Sequence, residues 1–218
     1  MKSGHKKKYL LLSILLLPSL IYFFFEFTQV NFKKMPYYGP KKIDTVSKDT
    51  IYYSVPENGF LDTRATEIVL DTNKYPVFLI GFIDDSLRAN AYKLNGLANY
   101  DKFDPNKLKA VTILLVSAND KNGEAPSVKQ TLKIKSADVE EYRCRAENFD
   151  SIRNLYFTGK PVFVFNYFFI LVDKKRHIRS YYDPNQDGEV KKMIAEFEHL
   201  KLRDEQAKSK KINTIEKK

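Results

Sequence analysis

Apolar residues in this chain fall into blocks whose spacing differs from block to block. Residues 75–83 (YPVFLIGFI) and 110–117 (AVTILLVS) are continuous apolar runs of strand length, the pattern of central strands buried on both faces. Residues 163–173 (FVFNYFFILVD) predict a third such strand. A turn at 174–176 then leads into 177–182 (HIRSYY), expected to pair antiparallel with it. Between the first two strands, residues 85–100 place Leu87, Ala91, Leu94 and Ala98 on one helical face, with Asp84, Asp85 or Ser86 available as the cap. Residues 127–133 and 137–145 also carry helical patterns. Residues 188–202 read as an amphipathic helix with Val190, Ile194, Phe197 and Leu200 inward. Upstream, two short extended runs at 50–55 and 66–70, separated by a turn around Asn58-Gly59, predict an edge hairpin.

The predicted order is a β-hairpin followed by β-α-β-α-β-β-α. That alternation, closing on a hairpin and a helix, is the thioredoxin arrangement, an α/β fold with a central mixed sheet flanked by helices. The expected domain spans residues 49–203, with a linker at 28–48 broken by Pro36 and Pro40 around Gly39, and a basic tail at 204–218 whose residues 208–218 read as solvated and partly disordered.

Ahead of the linker, residues 9–25 (YLLLSILLLPSLIYFFF) contain no charge, and Phe27 extends the run past Glu26. With Lys2, Lys6, Lys7 and Lys8 before it, segment 9–27 is expected to be an uncleaved transmembrane anchor, with 1–8 cytoplasmic. The residues after it are too bulky for a signal-peptidase site, and a lipoprotein signal would need a nearby Cys. Lys33, Lys34, Lys41 and Lys42 on the far side work against that orientation.

Charge looks at first like a nucleic-acid signal, at +10 over 218 residues. Four of those charges lie in residues 1–8 and a net +4 in residues 199–218, leaving +2 for the whole of 9–198. Basic ends around an apolar segment fit a membrane protein, and no basic–aromatic motif accompanies them, so no nucleic-acid partner is expected. The single cysteine, Cys144, excludes an internal disulfide and a structural zinc site built on thiolates.

Three stretches carry a family likeness. Met35-Pro36-Tyr37-Tyr38-Gly39-Pro40-Lys41 behind an anchor resembles the linker of bacterial SCO/SenC proteins. Tyr53-Ser54-Val55-Pro56, followed by Phe60, resembles the start of their domain, and Ile170–Asp183 (ILVDKKRHIRSYYD) resembles their final hairpin. The likeness covers roughly residues 35–203. It implies a thioredoxin-like fold and a role in copper delivery to, and assembly of, respiratory cytochrome oxidase. The family's chemistry rests on two cysteines between the first central strand and its helix and on a histidine before the third strand. This chain departs from both. The junction reads Gly81-Phe82-Ile83-Asp84-Asp85-Ser86-Leu87-Arg88, and the position for the histidine falls near Phe165. Nor does a proline stand just before residues 168–173, where redox thioredoxins keep a cis one. Soft thiolate–imidazole ligation and disulfide exchange both lose their residues.

The remaining candidates are local. Asp84 and Asp85 are either a hard-metal pair or a helix cap. Asp183-Pro-Asn-Gln-Asp-Gly resembles the first half of a calcium loop, but its twelfth position is Ile194. His5, His177 and His199 are expected at the surface with nothing to bring them together. The expectation is therefore a single-pass protein of a bacterial inner membrane with its domain in the periplasm. It would be a non-catalytic accessory protein, without cofactor, metal or catalytic residues, that meets a protein partner such as a respiratory complex. The alternatives are a redox protein using Cys144 and an envelope structural protein with no respiratory role.

Overall fold

The structure, a computed structural model, describes residues 35–62, 64–103, 111–119 and 127–215. The expected anchor at 9–27 and the cytoplasmic end at 1–8 lie outside the described residues, as does His5. Among the described residues no helix is long and apolar enough to cross a membrane.

The chain forms β1 (Lys41–Ile43), β2 (Thr50–Tyr52), β3 (Phe60–Leu61), β4 (Glu67–Ile68) and β5 (Phe78–Ile83). Then come α1 (Asp85–Ala89), a 3-10 turn (Ala91–Leu94), α2 (Asn95–Ala98), α3 (Tyr100–Phe103) and β6 (Ile113–Asn119). The rest is α4 (Val128–Thr131), β7 (Val139–Arg145), α5 (Ala146–Tyr156), β8 (Phe169–Val172), β9 (Ile178–Tyr182) and α6 (Asp187–Ile215).

Seven strands make one sheet in the order β4-β3-β7-β6-β5-β8-β9. β5, β6 and β7 run parallel, while β8 and β9 run antiparallel to their neighbours. A parallel β-α-β core closed by an antiparallel hairpin and a terminal helix is the thioredoxin-like fold. β5 is an interior strand between β6 and β8, buried along its whole length as the apolar run requires. Its alternate side chains divide the core in two. Leu79 and Ile83 join Leu94, Leu97, Phe169, Val190 and Phe197 on one face; Phe78, Ile80 and Phe82 join Cys144, Phe149, Ile152 and Tyr156 on the other. Gly81 leaves room for Phe169, whose ring lies 2.5 Å from where a Cβ would stand.

Several expected elements differ. Residues 137–145 are not helical: Val139–Arg145 is a strand in register with Ile113–Asn119. Val139 and Tyr142, three residues apart, fitted a helix period; in the strand Val139 faces one core while Tyr142 and Cys144 face the other, and the open edge of β6 decided between the two. The upstream hairpin is paired differently. Thr50–Tyr52 turns back on Lys41–Ile43 as a separate two-stranded sheet, and Phe60–Leu61 pairs with Glu67–Ile68. Asn58-Gly59 precedes the second hairpin instead of forming its turn. The helix expected at 85–100 is broken into short pieces at Asn90, Leu94 and Asn99. Gly96 there packs 2.7 Å, measured from an ideal Cβ, from the Pro184 carbonyl. Only Phe169–Val172 of the apolar run 163–173 is strand. Conversely α6 continues to Ile215, through most of the tail read as partly disordered.

The stretch read as a linker is docked from Met35 onward. Arg179, buried on β9, donates from Nη2 to the Met35 carbonyl at 2.7 Å and from Nε to the Pro36 carbonyl at 3.1 Å. Its guanidinium lies 3.9 Å from the centre of the Tyr37 ring, and its Nη1 pairs with Asp173 at 2.9 Å. The Tyr38 amide adds a bond to the Ile178 carbonyl at 3.0 Å.

Candidate functional site

At the C-terminal end of β5 the chain leaves the sheet through Asp84 and enters α1. Asp84 takes the extended cap conformation, and its Oδ1 accepts from the Leu87 amide at 2.7 Å. Its other oxygen accepts from Arg153 of α5 at 2.9 Å, and Arg153 also pairs with Asp150 at 2.7 Å. Both oxygens are thus engaged by this protein. Asp85 points to solvent and pairs loosely with Arg88 at 3.5 Å. The two neighbouring carboxylates do not converge as ligands.

The loop between α5 and β8 closes over this junction because β8 runs antiparallel to β5. Two consecutive turns shape it. The Val164 amide bonds the Pro161 carbonyl and the Phe168 amide bonds the Phe165 carbonyl, each at 3.0 Å. Val164 plugs into the core, which turns Val162, Phe163 and Phe165 outward. Phe165 and Tyr167 stack in parallel at 5.7 Å. Between loop and junction lies a cleft of about 350 Å³ lined by Asp84, Ser86, Leu87, Lys93, Lys160, Phe165, Asn166 and Tyr167. Phe165, near the position where the SCO/SenC resemblance places a histidine, therefore does face the strand–helix junction where it places the thiols.

Cys144 is elsewhere. It lies on β7 opposite Ala118 of β6, two strands from β5, with no exposed surface. Burial pushes its thiol up to about 12, so it is protonated at any physiological pH. The histidines are less exposed than expected. His177 sits partly buried, edge-on to Tyr37 and Tyr52, with Nδ1 3.5 Å from Asp173. His199 is partly buried on α6, and burial, with Arg203 nearby, lowers its pKa. Among the described residues no three His, Cys, Asp or Glu side chains converge as metal ligands. The 183–188 stretch is a turn: Asp183 accepts from the Asn185 amide at 3.0 Å and from the Gln186 side chain at 2.9 Å.

The aromatic surface of 162–167 is the feature that sequence reading missed. Those residues continue the apolar pattern of a buried strand, and only Pro161 and Asn166 hinted at a break.

No protein-family model matches the sequence, and no curated protein does. Solved structures similar to it include a SCO1/SenC family lipoprotein from Bacillus anthracis, 13% identical, covering 68% of this chain and 95% of that one at a TM-score of 0.47. Another is the copper-bound ScoI of Bradyrhizobium japonicum, 12% identical, covering 68% and 99% at 0.42. A third is the thioredoxin domain of a thiol-disulfide oxidoreductase from Bacteroides vulgatus, 16% identical, covering 66% and 99% at 0.44. At these values the fold assignment stands on the strand order and connectivity described above.

Proposed function

We propose that this chain is a membrane-anchored accessory protein of the SCO/SenC kind that works by contacting a protein partner and not by copper or disulfide chemistry. Residues 9–27 anchor it in a bacterial inner membrane, residues 28–218 face the periplasm, and assembly of a respiratory oxidase is its setting.

The observation that supports this reading is the content of the cleft. Where two thiols and an imidazole would meet, Asp84 is committed to a cap and an ion pair, and Phe165 offers a hydrocarbon ring. Copper(I) prefers soft ligands, and disulfide exchange needs a second, resolving thiol. The lone thiol is sealed in the core two strands away. A thioredoxin-like scaffold without these groups retains a shaped face, which suits recognition.

The test is a competition titration of the detergent-solubilised full chain with a copper(I) chelator, beside Cys144→Ser. Weak binding that is the same in both is expected. Tight binding of one equivalent that disappears in Cys144→Ser overturns the non-metal reading. For the topology, protease added to spheroplasts should digest the domain, and protection in intact spheroplasts refutes it.

A further inference from the structure

We infer that the cleft between α1 and the 160–168 loop is a docking site for an acidic peptide segment of a protein partner that carries an apolar side chain between its carboxylates. This rests on the proposed partner-binding role and names the chemistry of the partner at that same cleft.

The apolar half of the site is on the loop. Phe165, which lines the cleft with Tyr167 and Leu87, is 58% exposed; Val162 at 99% and Phe163 at 71% precede it on the same loop, outside the lining. Three large apolar side chains in four successive positions facing solvent cost free energy, which burial against a partner would recover at roughly 25 cal/mol per Å² of surface. They are not a frayed end. Val164, buried between them, pins the loop to the core, and the two turns fix its backbone. The loop therefore presents its rings at little ordering cost, which favours binding.

The polar half is the charge inside the cleft. Lys93 lies over the Tyr167 ring at 5.6 Å, and Lys160 donates to the Val164 carbonyl. Among the described residues neither ammonium has a carboxylate within ion-pair distance. The one acid lining the cleft, Asp84, is neutralised by Arg153 at 2.9 Å. Two ammoniums that no carboxylate pairs among the described residues, beside an apolar wall, fit carboxylates flanking an apolar residue. Ser86 and Asn166 line the same cleft and supply side-chain groups suited to a peptide backbone.

A bilayer surface is the rival occupant, since apolar tips beside lysines also suit anionic lipid. The concavity favours the peptide. A side chain enters a cleft of about 350 Å³ with polar lining, and a lipid plane does not. The site is small, so the interaction is a transient one, below the size of stable interfaces.

The chain contains no tryptophan, so Phe163→Trp introduces a single reporter. The full chain carrying it, in detergent, is titrated with an end-blocked peptide Gly-Glu-Glu-Phe-Leu-Glu-Gly and with its counterpart bearing Lys for every Glu. A saturable blue shift with the acidic peptide alone is expected. Phe165→Ser, or Lys93→Gln with Lys160→Gln, should weaken it about tenfold at an unchanged melting temperature. No shift at millimolar acidic peptide, or equal shifts with both peptides, overturns the proposal. So does quenching of the reporter by brominated phosphatidylglycerol in reconstituted vesicles, which would put the loop in lipid. The copper titration is independent: tight thiol-dependent copper binding overturns the non-metal reading, whereas a failed peptide titration without copper binding overturns only this site.

Discussion

Cys144 shows how far one side chain's fate depends on its surroundings. In the unfolded chain the thiol titrates near its ordinary value of 9.0; in the native core it is held up to about 12. Between those values unfolding releases a proton, so stability falls as pH rises, by at most about 1.4 kcal/mol per pH unit. Below about pH 9 both states carry the proton and the thiol contributes no pH dependence. Guanidinium melts at about pH 8 and about pH 10.5 should therefore show a smaller alkaline loss for Cys144→Ala than for the parent chain. The same burial predicts that Ellman's reagent leaves Cys144 untouched until the protein unfolds. Asp84 provides the second residue-scale prediction. Asp84→Ala removes the cap and leaves Arg153, which is largely buried, without that partner, and should cost about 1–3 kcal/mol in denaturant unfolding. Asp84→Asn keeps an acceptor for the Leu87 amide and should cost less.

Elements owe their places to neighbours as much as to their own residues. β5 was legible because a continuous apolar run of strand length has no stable home except between two layers. Its centre is set by a pair: Gly81 on β5 and Phe169 on β8 fill one space. Gly81→Val should overpack it and lower stability by about 1–3 kcal/mol, and Phe169→Leu added to Gly81→Val should recover part of that loss. Additive losses in a four-point denaturation cycle would show that the two residues do not share the space. The residues of β7 mislead because Val139 and Tyr142, three apart, suit one helix face, whereas in the strand Val139 lies in one core and Tyr142 and Cys144 in the other. What settled it was the row of backbone groups along β6, which needs a partner. Arg176 on the β8–β9 turn is another local surprise. It holds a positive φ of 63° that side chains disfavour. Its guanidinium compensates by bonding Glu57 at 2.9 Å, the Tyr75 carbonyl at 2.8 Å and the Leu70 carbonyl.

For the molecule as a whole, the first described segment is tied down: Arg179 fastens residues 35–37 to the final hairpin. Arg179→Met would release that strap and leave Asp173, itself buried, without its main counter-charge. A loss of about 3–5 kcal/mol is expected, as for breaking other buried pairs. Hydrogen exchange locates the cause: the Tyr38 amide, bonded to the Ile178 carbonyl at 3.0 Å, should lose protection in Arg179→Met, while the amides of β5 and β6 keep theirs relative to global unfolding. Equal protection at Tyr38 in both proteins would mean that the strap holds without the arginine.

The sequence by itself determined the sheet's centre, the hairpin–helix ending and the absence of a two-thiol site. These follow from run length, periodicity and residue identity, which are local quantities. It also narrowed the cap to Asp84, Asp85 or Ser86, since the acids and the following helix pattern are local, and the structure uses Asp84. Long-range packing set the rest: residues 137–145 are a strand, 35–38 are docked, His177 and Cys144 are withdrawn, and Val162, Phe163 and Phe165 turn outward. Each of those depends on which distant group offers a hydrogen bond or an apolar surface. Val164 makes the point at one position: its apolar neighbours share its composition, yet it alone is buried, because two backbone turns aim it at the core and aim Phe163 and Phe165 away.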